Sequence, residues 1–268
     1  MFALPPTIFL VFLELAVGGH LLLLWADWQR EVSRGFVILS ALCLWVCAAL
    51  GLWDRLAFPL TLADSAWRGP ETVAVVGFVV LQLVYVLLAW ARADRARRLV
   101  GAVAGACGLL GLVAASLVHA GAWGPAASLA SLILGAASLG GVVVGMVLGH
   151  WYLVTPNLST RPLLGMTLAF LAAAALQGLL LPLQMGLLGG DPERAAGTAA
   201  LLGPYALAFW LRVVVGILLP VALGVMTWQT CRLRSMMSAT GLLYIAMCCV
   251  LAGEVAAKTL FFLTGIAT

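Results

Sequence analysis

Long apolar runs alternate with short charged joints along this chain, and that pattern leaves it few ways to fold. Eight runs qualify, at approximately 6–25, 35–53, 72–91, 99–120, 126–153, 163–187, 200–228 and 238–264. The hydrocarbon core of a bilayer is about 30 Å thick and takes about 20 apolar residues of helix to cross. Backbone facing lipid finds no water to bond, so each run must satisfy its own hydrogen bonds as a helix. With 64% of residues hydrophobic and 9% charged, against about 25% charged in soluble domains, little is left from which to build a soluble unit. The expectation is an all-α integral membrane protein, a single polytopic transmembrane domain over 1–268, with membrane lipid as its solvent. Eight helices can also pair off as two four-helix bundles. Residues 1–13 have no basic stretch before an apolar run that exceeds signal-peptide length, so this run reads as a retained first helix.

The joints carry the orientation. Asp27–Arg34, Asp54–Glu71, Arg92–Arg98, Gly124-Pro125, Thr155-Pro156-Asn157, Gly189–Arg194 and Cys231–Ser235 are charged or turn-like. The odd joints carry Arg30, Arg34, Arg92, Arg95, Arg97, Arg98, Arg161, Arg232 and Arg234, and the even ones Arg55, Arg68 and Arg194. Basic residues in short loops stay cytoplasmic, which predicts a multi-pass protein of the inner (cytoplasmic) membrane with both termini outside. The 54–71 joint then faces outward, long enough for a short interfacial helix. Trp53, Trp67, Trp90, Trp123, Trp151 and Trp228 sit near helix ends, as an interfacial belt does.

Ionisable residues inside apolar helices are costly and face the bundle interior. Glu14, Arg212, Glu254 and Lys258 are such residues, and the orientation places them in the middle or outer part of the membrane. Two acids and two bases at similar depth predict mutual pairing, and Glu254 and Lys258 share a face at i, i+4. Pairing locks helices together; the same groups can also handle protons or hold a ligand. Gln177 and Gln184, seven apart on the sixth run, form either an interhelical hydrogen bond or the wall of the same pocket. Arg212, Gly216 and Pro220 lie on one stripe, where proline loosens backbone bonding and invites a kink.

The histidines are His20, His119 and His150. Their bland roles are interfacial or hydrogen-bonded. By depth, His20 and His150 alone match as a pair of axial ligands for a b-type haem. Ala137, Gly141, Gly145 and Gly149 on the fifth run, and Gly101, Gly105 and Gly108 on the fourth, predict close helix packing, or a flat cofactor or quinone tail on the glycine face. Cys43, Cys47, Cys107, Cys231, Cys248 and Cys249 form no CxxC and predict neither disulfides nor a metal site. No GxxxxGK[ST], HExxH or GxSxG occurs, so primary pumping by this chain alone is not expected. The net charge of +4 is small and dispersed, and nucleic acid is not an expected partner.

Two stretches carry a resemblance. Phe12-Leu13-Glu14-Leu15-Ala16-Val17-Gly18-Gly19 resembles the polar, then glycine-rich, first helix of the quinol-interacting membrane-anchor subunits of the dimethyl sulfoxide reductase and polysulfide reductase type. Ser238-Ala239-Thr240-Gly241 through Gly253-Glu254-Val255 is similar to their acid-bearing last helix. Eight helices with both ends outside match that topology, while Arg212 and Lys258 within the membrane depart from it. The resemblance implies a non-catalytic or quinol-site subunit of a respiratory oxidoreductase complex. Such a subunit docks an iron–sulfur or cytochrome partner, exchanges electrons with a membrane quinone, and usually lacks its own haem. In that reading Glu14 and Glu254 take protons from quinol, and Arg212, Lys258, Gln177, Gln184 and His119 bind it. A proton-coupled secondary transporter and a purely structural assembly subunit are the alternatives.

Overall fold

The computed structural model describes residues 3–58, 65–121, 124–155, 158–185 and 192–268, the side chains of 192–195 excepted. Among these residues every regular element is helical. Eight spans are long and apolar enough to cross a membrane: α1 Leu4–Gln29, α2 Arg34–Ala57, α3 Arg68–Trp90, α4 Asp94–Val118, α5 Pro125–Val154, α6 Arg161–Gln184, α8 Ala206–Arg232 and α9 Met236–Thr264. A shorter helix, α7, covers Pro192–Leu202. The protein is an all-α, multi-pass membrane protein.

Local chemistry sets the ends. Ser33 caps α2 by accepting from the Phe36 N–H at 3.3 Å, and prolines open α1, α5 and α6, where a missing N–H costs nothing. Most helices overrun the apolar run that announces them, because the charged residues of the joints continue the helix to the interface. The exception is the seventh run, predicted at 200–228. Gly203-Pro204 interrupts it, so α7 ends at Leu202 and the span starts at Ala206. Trp53, Trp67 and Trp90 are exposed, as a belt requires. Trp123, Pro59, Asp64, Pro156, Asn157 and the Gly189–Asp191 turn lie outside the described residues, as does the side chain of Arg194. Of the 54–71 joint where an interfacial helix was expected, 54–57 continue α2 and 68–71 open α3, and 59–64 lie outside the described residues.

The helices sort into two sets of four. α1–α4 pack as one, with α3 against α4 and α1 against both α2 and α4; α5, α6, α8 and α9 form the other. The sets join along α1 and α5. That seam is close because Gly18 and Gly140 let the backbones touch: a Cβ on Gly18 would lie 1.8 Å from the Ala136 carbonyl oxygen. As a result α1 is the most enclosed of the spans. It carries Thr7, Glu14, His20 and Asp27, all buried, toward both sets.

Candidate functional site

α1, α6, α8 and α9 bring the ionisable residues of the membrane interior onto one chain of contacts. Lys258 Nζ lies 2.8 Å from Glu14 Oε1 and 3.5 Å from Glu254 Oε2, and Arg212 Nη1 donates to Glu254 Oε1 at 3.1 Å. The order is Glu14–Lys258–Glu254–Arg212, two negative and two positive charges alternating, each side chain at most 4% exposed. Gln177 Nε2 donates to Glu254 Oε1 at 2.8 Å, and Lys258 donates to Ser131 Oγ on α5 at 3.3 Å.

Backbone irregularity and small residues make room for these charges. Residues Leu211–Leu218 of α8 form a π-helical stretch, closed by the Leu219 N–H donating to the Val214 carbonyl, and Pro220 follows at once. Such stretches occur frequently at functional sites. This one carries Arg212 and lets Gly216 meet Gly253 of α9 backbone to backbone, where a Cβ on Gly253 would lie 2.2 Å from Gly216 Cα. On α5, Gly135 leaves space for the Glu14 carboxylate, which a Cβ there would meet at 2.7 Å.

Lys258 also forms part of the wall of a narrow cleft between α1, α5 and α9, on the face away from the basic loops, with a volume of about 10 Å³, enough for one water. Leu10, Leu132 and Phe261 supply apolar walls, and His119, Ser128, Ser131 and Thr268 supply polar groups. His119, just past the end of α4, packs edge-on against Phe262 with centroids 5.3 Å apart, and its Nε2 has no hydrogen-bond partner among the described residues. Burial, reinforced by the charges of Arg55 and Arg68, pushes its imidazole down to about 4, so the ring is neutral at neutral pH. Thr268 Oγ1 is likewise buried without a partner.

The other expected residues divide. Gln184 is buried two turns beyond Gln177, but no contact among the described residues joins it to the charged chain. His20 and His150 are not brought together. His20 is enclosed against Phe78 and Tyr85, with Nε2 on the Gly101 carbonyl at 2.9 Å, whereas His150 is exposed on the outside of α5. They do not make a facing pair of axial ligands for a haem. The glycines at 101 and 108 pack against Tyr85 and Val17, and those at 141 and 149 against Phe170 and Thr240, which is the packing role.

Ser131 and Thr268 escape a search for charge in apolar runs, since hydroxyls are common there. So does a second buried cluster near the basic loops. Arg97 pairs bidentately with Asp27 at 2.6 and 3.0 Å, and the Tyr85 hydroxyl donates to Asp27 at 3.1 Å. Asp27 reads as a joint residue in the sequence, yet it is 3% exposed; its spacing of seven from His20 was the available signal. No protein-family model matches this chain, and no curated protein matches it.

Proposed function

We propose that the protein is the quinone-interacting subunit of a multi-subunit respiratory oxidoreductase, with the helices beside Lys258 parting to admit the quinone head group where the narrow cleft now stands. The observation that carries this reading is the meeting of an apolar cleft, an unpartnered imidazole nitrogen and a buried charge relay at one place. Sites of this kind are mostly apolar, with a few converging polar groups. One quinol oxygen faces His119 Nε2, and the other faces Ser131 Oγ and Lys258 Nζ.

Oxidation of quinol releases two electrons and two protons. The electrons pass to an iron–sulfur or cytochrome partner docked on the face away from the basic loops. One proton passes by way of His119 Nε2, a base of about 4 that releases it at once to water on the face away from the basic loops. The other enters at Lys258, which hands a proton on to Glu14, so that the ammonium is restored and Glu14 ends as the neutral acid. Glu254, held by Arg212 and Gln177, stays ionised and keeps Lys258 charged. Arg212, Gln177 and Glu254 are thus positioning residues in this scheme, and Gln184 has no part in it.

Binding and chemistry can be tested apart. A short-tailed quinone titrated into the purified chain, followed by tryptophan quenching, is expected to bind about tenfold more weakly to His119→Leu, the value of one lost hydrogen bond. In the assembled complex, Glu14→Gln is expected to slow quinol oxidation about 100-fold, as removal of a proton acceptor does, with quinone affinity unchanged. Wild-type binding by His119→Leu together with wild-type turnover by Glu14→Gln would sink the reading. A structural role has one observation of its own, the exact neutrality of the four-charge chain, and it predicts that second result.

A further inference from the structure

At the basic face, the ends of α1, α2 and α4 enclose an open cleft of about 400 Å³ lined by Arg30, Arg34, Arg95, Arg97 and Arg98, with Asp27 and Asp94. Five guanidiniums against two carboxylates leave an excess of three positive charges. The seven groups are not equally engaged. Arg97 is held by Asp27 and lies 3.0 Å from Asp94. Arg34 caps α3 by donating to the carbonyls of Ala89, at 2.6 Å, and Trp90. Arg98 comes no nearer to Asp27 than 3.8 Å, and its Nε, although buried, has no hydrogen-bond partner among the described residues. Arg30 and Arg95 are exposed and make no ion pair among the described residues.

A second feature continues the cleft into the membrane. On α4, Arg98, Ala102, Gly105 and Leu109 follow one another at helical spacing and share one stripe. The last three line a shallow apolar groove, whose other wall is Leu21, Leu24, Trp25 and Trp28 of α1. Gly105 lets the two helices stay close: a Cβ there would sit 2.9 Å from the Leu21 side chain. Trp28 is 58% exposed at the interface level. Arg98 of the cationic cleft thus stands one helical turn from Ala102 of the apolar groove, so that a head group and its attached chain can span the two. A free phosphate has use for the cleft alone.

We infer that this surface binds one anionic phospholipid of the leaflet on the basic side. Its phosphodiester sits against Arg30, Arg95 and Arg98, and an acyl chain runs along the groove from Ala102 to Leu109. Basic pockets between transmembrane helices recognise such head groups, and the inference is independent of the quinone reading.

The test uses the delipidated full chain in neutral detergent and native mass spectrometry. It is titrated with palmitoyl-oleoyl phosphatidylglycerol, with the phosphatidylcholine of the same chains, and with inorganic phosphate as competitor. Phosphatidylglycerol is expected to bind at least tenfold more tightly than phosphatidylcholine. Arg95→Gln/Arg98→Gln is expected to weaken it about 30-fold, at roughly 1 kcal/mol per arginine, while Arg232→Gln/Arg234→Gln, on the same face outside the cleft, leaves it unchanged. Ala102→Phe fills the groove without altering charge and is expected to weaken the lipid as well; this variant decides alone if the arginine variant does not fold. Equal binding of the two lipids, wild-type affinity in Ala102→Phe, or displacement of the lipid by millimolar phosphate overturns the inference, the last by marking the cleft as a free-anion site.

Discussion

Replacing Lys258 with methionine is expected to lower the unfolding free energy by about 3–5 kcal/mol, the cost of breaking a buried ion pair from one side. Lys258 is the middle cation of the chain and the one within 4 Å of Glu14. Without it, Glu254 keeps Arg212 and Gln177, but Glu14 is left fully enclosed beside Gly135 with no ion-pair partner among the described residues. It must then either hold an uncompensated charge in an apolar interior or take up a proton. Glu14→Gln/Lys258→Met removes both halves of the pair and is expected to recover most of the loss, because well-packed neutral groups replace a buried ion pair at little net cost. Detergent-induced unfolding of the three variants beside the wild type is the measurement. A loss below about 1 kcal/mol in Lys258→Met would mean that the pair is not desolvated as the structure has it. The double variant also separates the two roles of the chain. If the charges only lock helices, a stable double variant should support quinol oxidation in the assembled complex; if they relay protons, it should be stable and inactive.

That cluster was legible from sequence because lipid is an unforgiving solvent. A carboxylate or ammonium inside an apolar run must find a partner, so Glu14, Arg212, Glu254 and Lys258 could be grouped before any contact was known, and the same logic delivered the eight spans. What stayed hidden is what the logic does not reach. Asp27 and Arg97 flank their runs, where charge is cheap, so their burial follows from how deeply α1 and α4 are packed. Ser131 and Thr268 become site residues by position, since a hydroxyl in a helix needs no partner beyond its own backbone. The break between α7 and α8 was written in Gly203-Pro204, whereas for the π-helical stretch around Arg212 the stripe of Arg212, Gly216 and Pro220 signalled only a kink, and the approach of Gly216 to Gly253 across the helix pair had no signal. Depth alone suggested His20 with His150, but depth says nothing of rotation about the helix axis, and the two rings face different surroundings.

The α1–α5 seam yields the other large effect. Gly18→Ala is expected to cost at least about 3 kcal/mol, at or beyond the upper end of ordinary overpacking. A Cβ at residue 18 would stand 1.8 Å from the Ala136 carbonyl oxygen and 2.3 Å from its carbon, and one at Gly140 would stand 2.2 Å from the Gly18 carbonyl carbon. In both cases the obstacle is backbone, which cannot rotate out of the way as a side chain can. Relief therefore requires α1 and α5 to separate along their length. These helices join the two four-helix sets, and they carry Glu14 on one side and Ser131 and Gly135 on the other. Separation thus opens the floor of the cleft and strains the Lys258 contacts in the same movement. Gly241→Ala on α9 is the control: nothing lies within 4 Å of a Cβ there, and alanine in an exposed helix is expected to gain about 0.5–1 kcal/mol. The comparison is read from thermal unfolding of the purified variants, with short-tailed quinone binding as the second readout. If Gly18→Ala unfolds with the wild type, the helices are not in backbone contact. If it is destabilised yet binds quinone as the wild type does, the cleft does not depend on this seam, and the head group belongs elsewhere in the bundle.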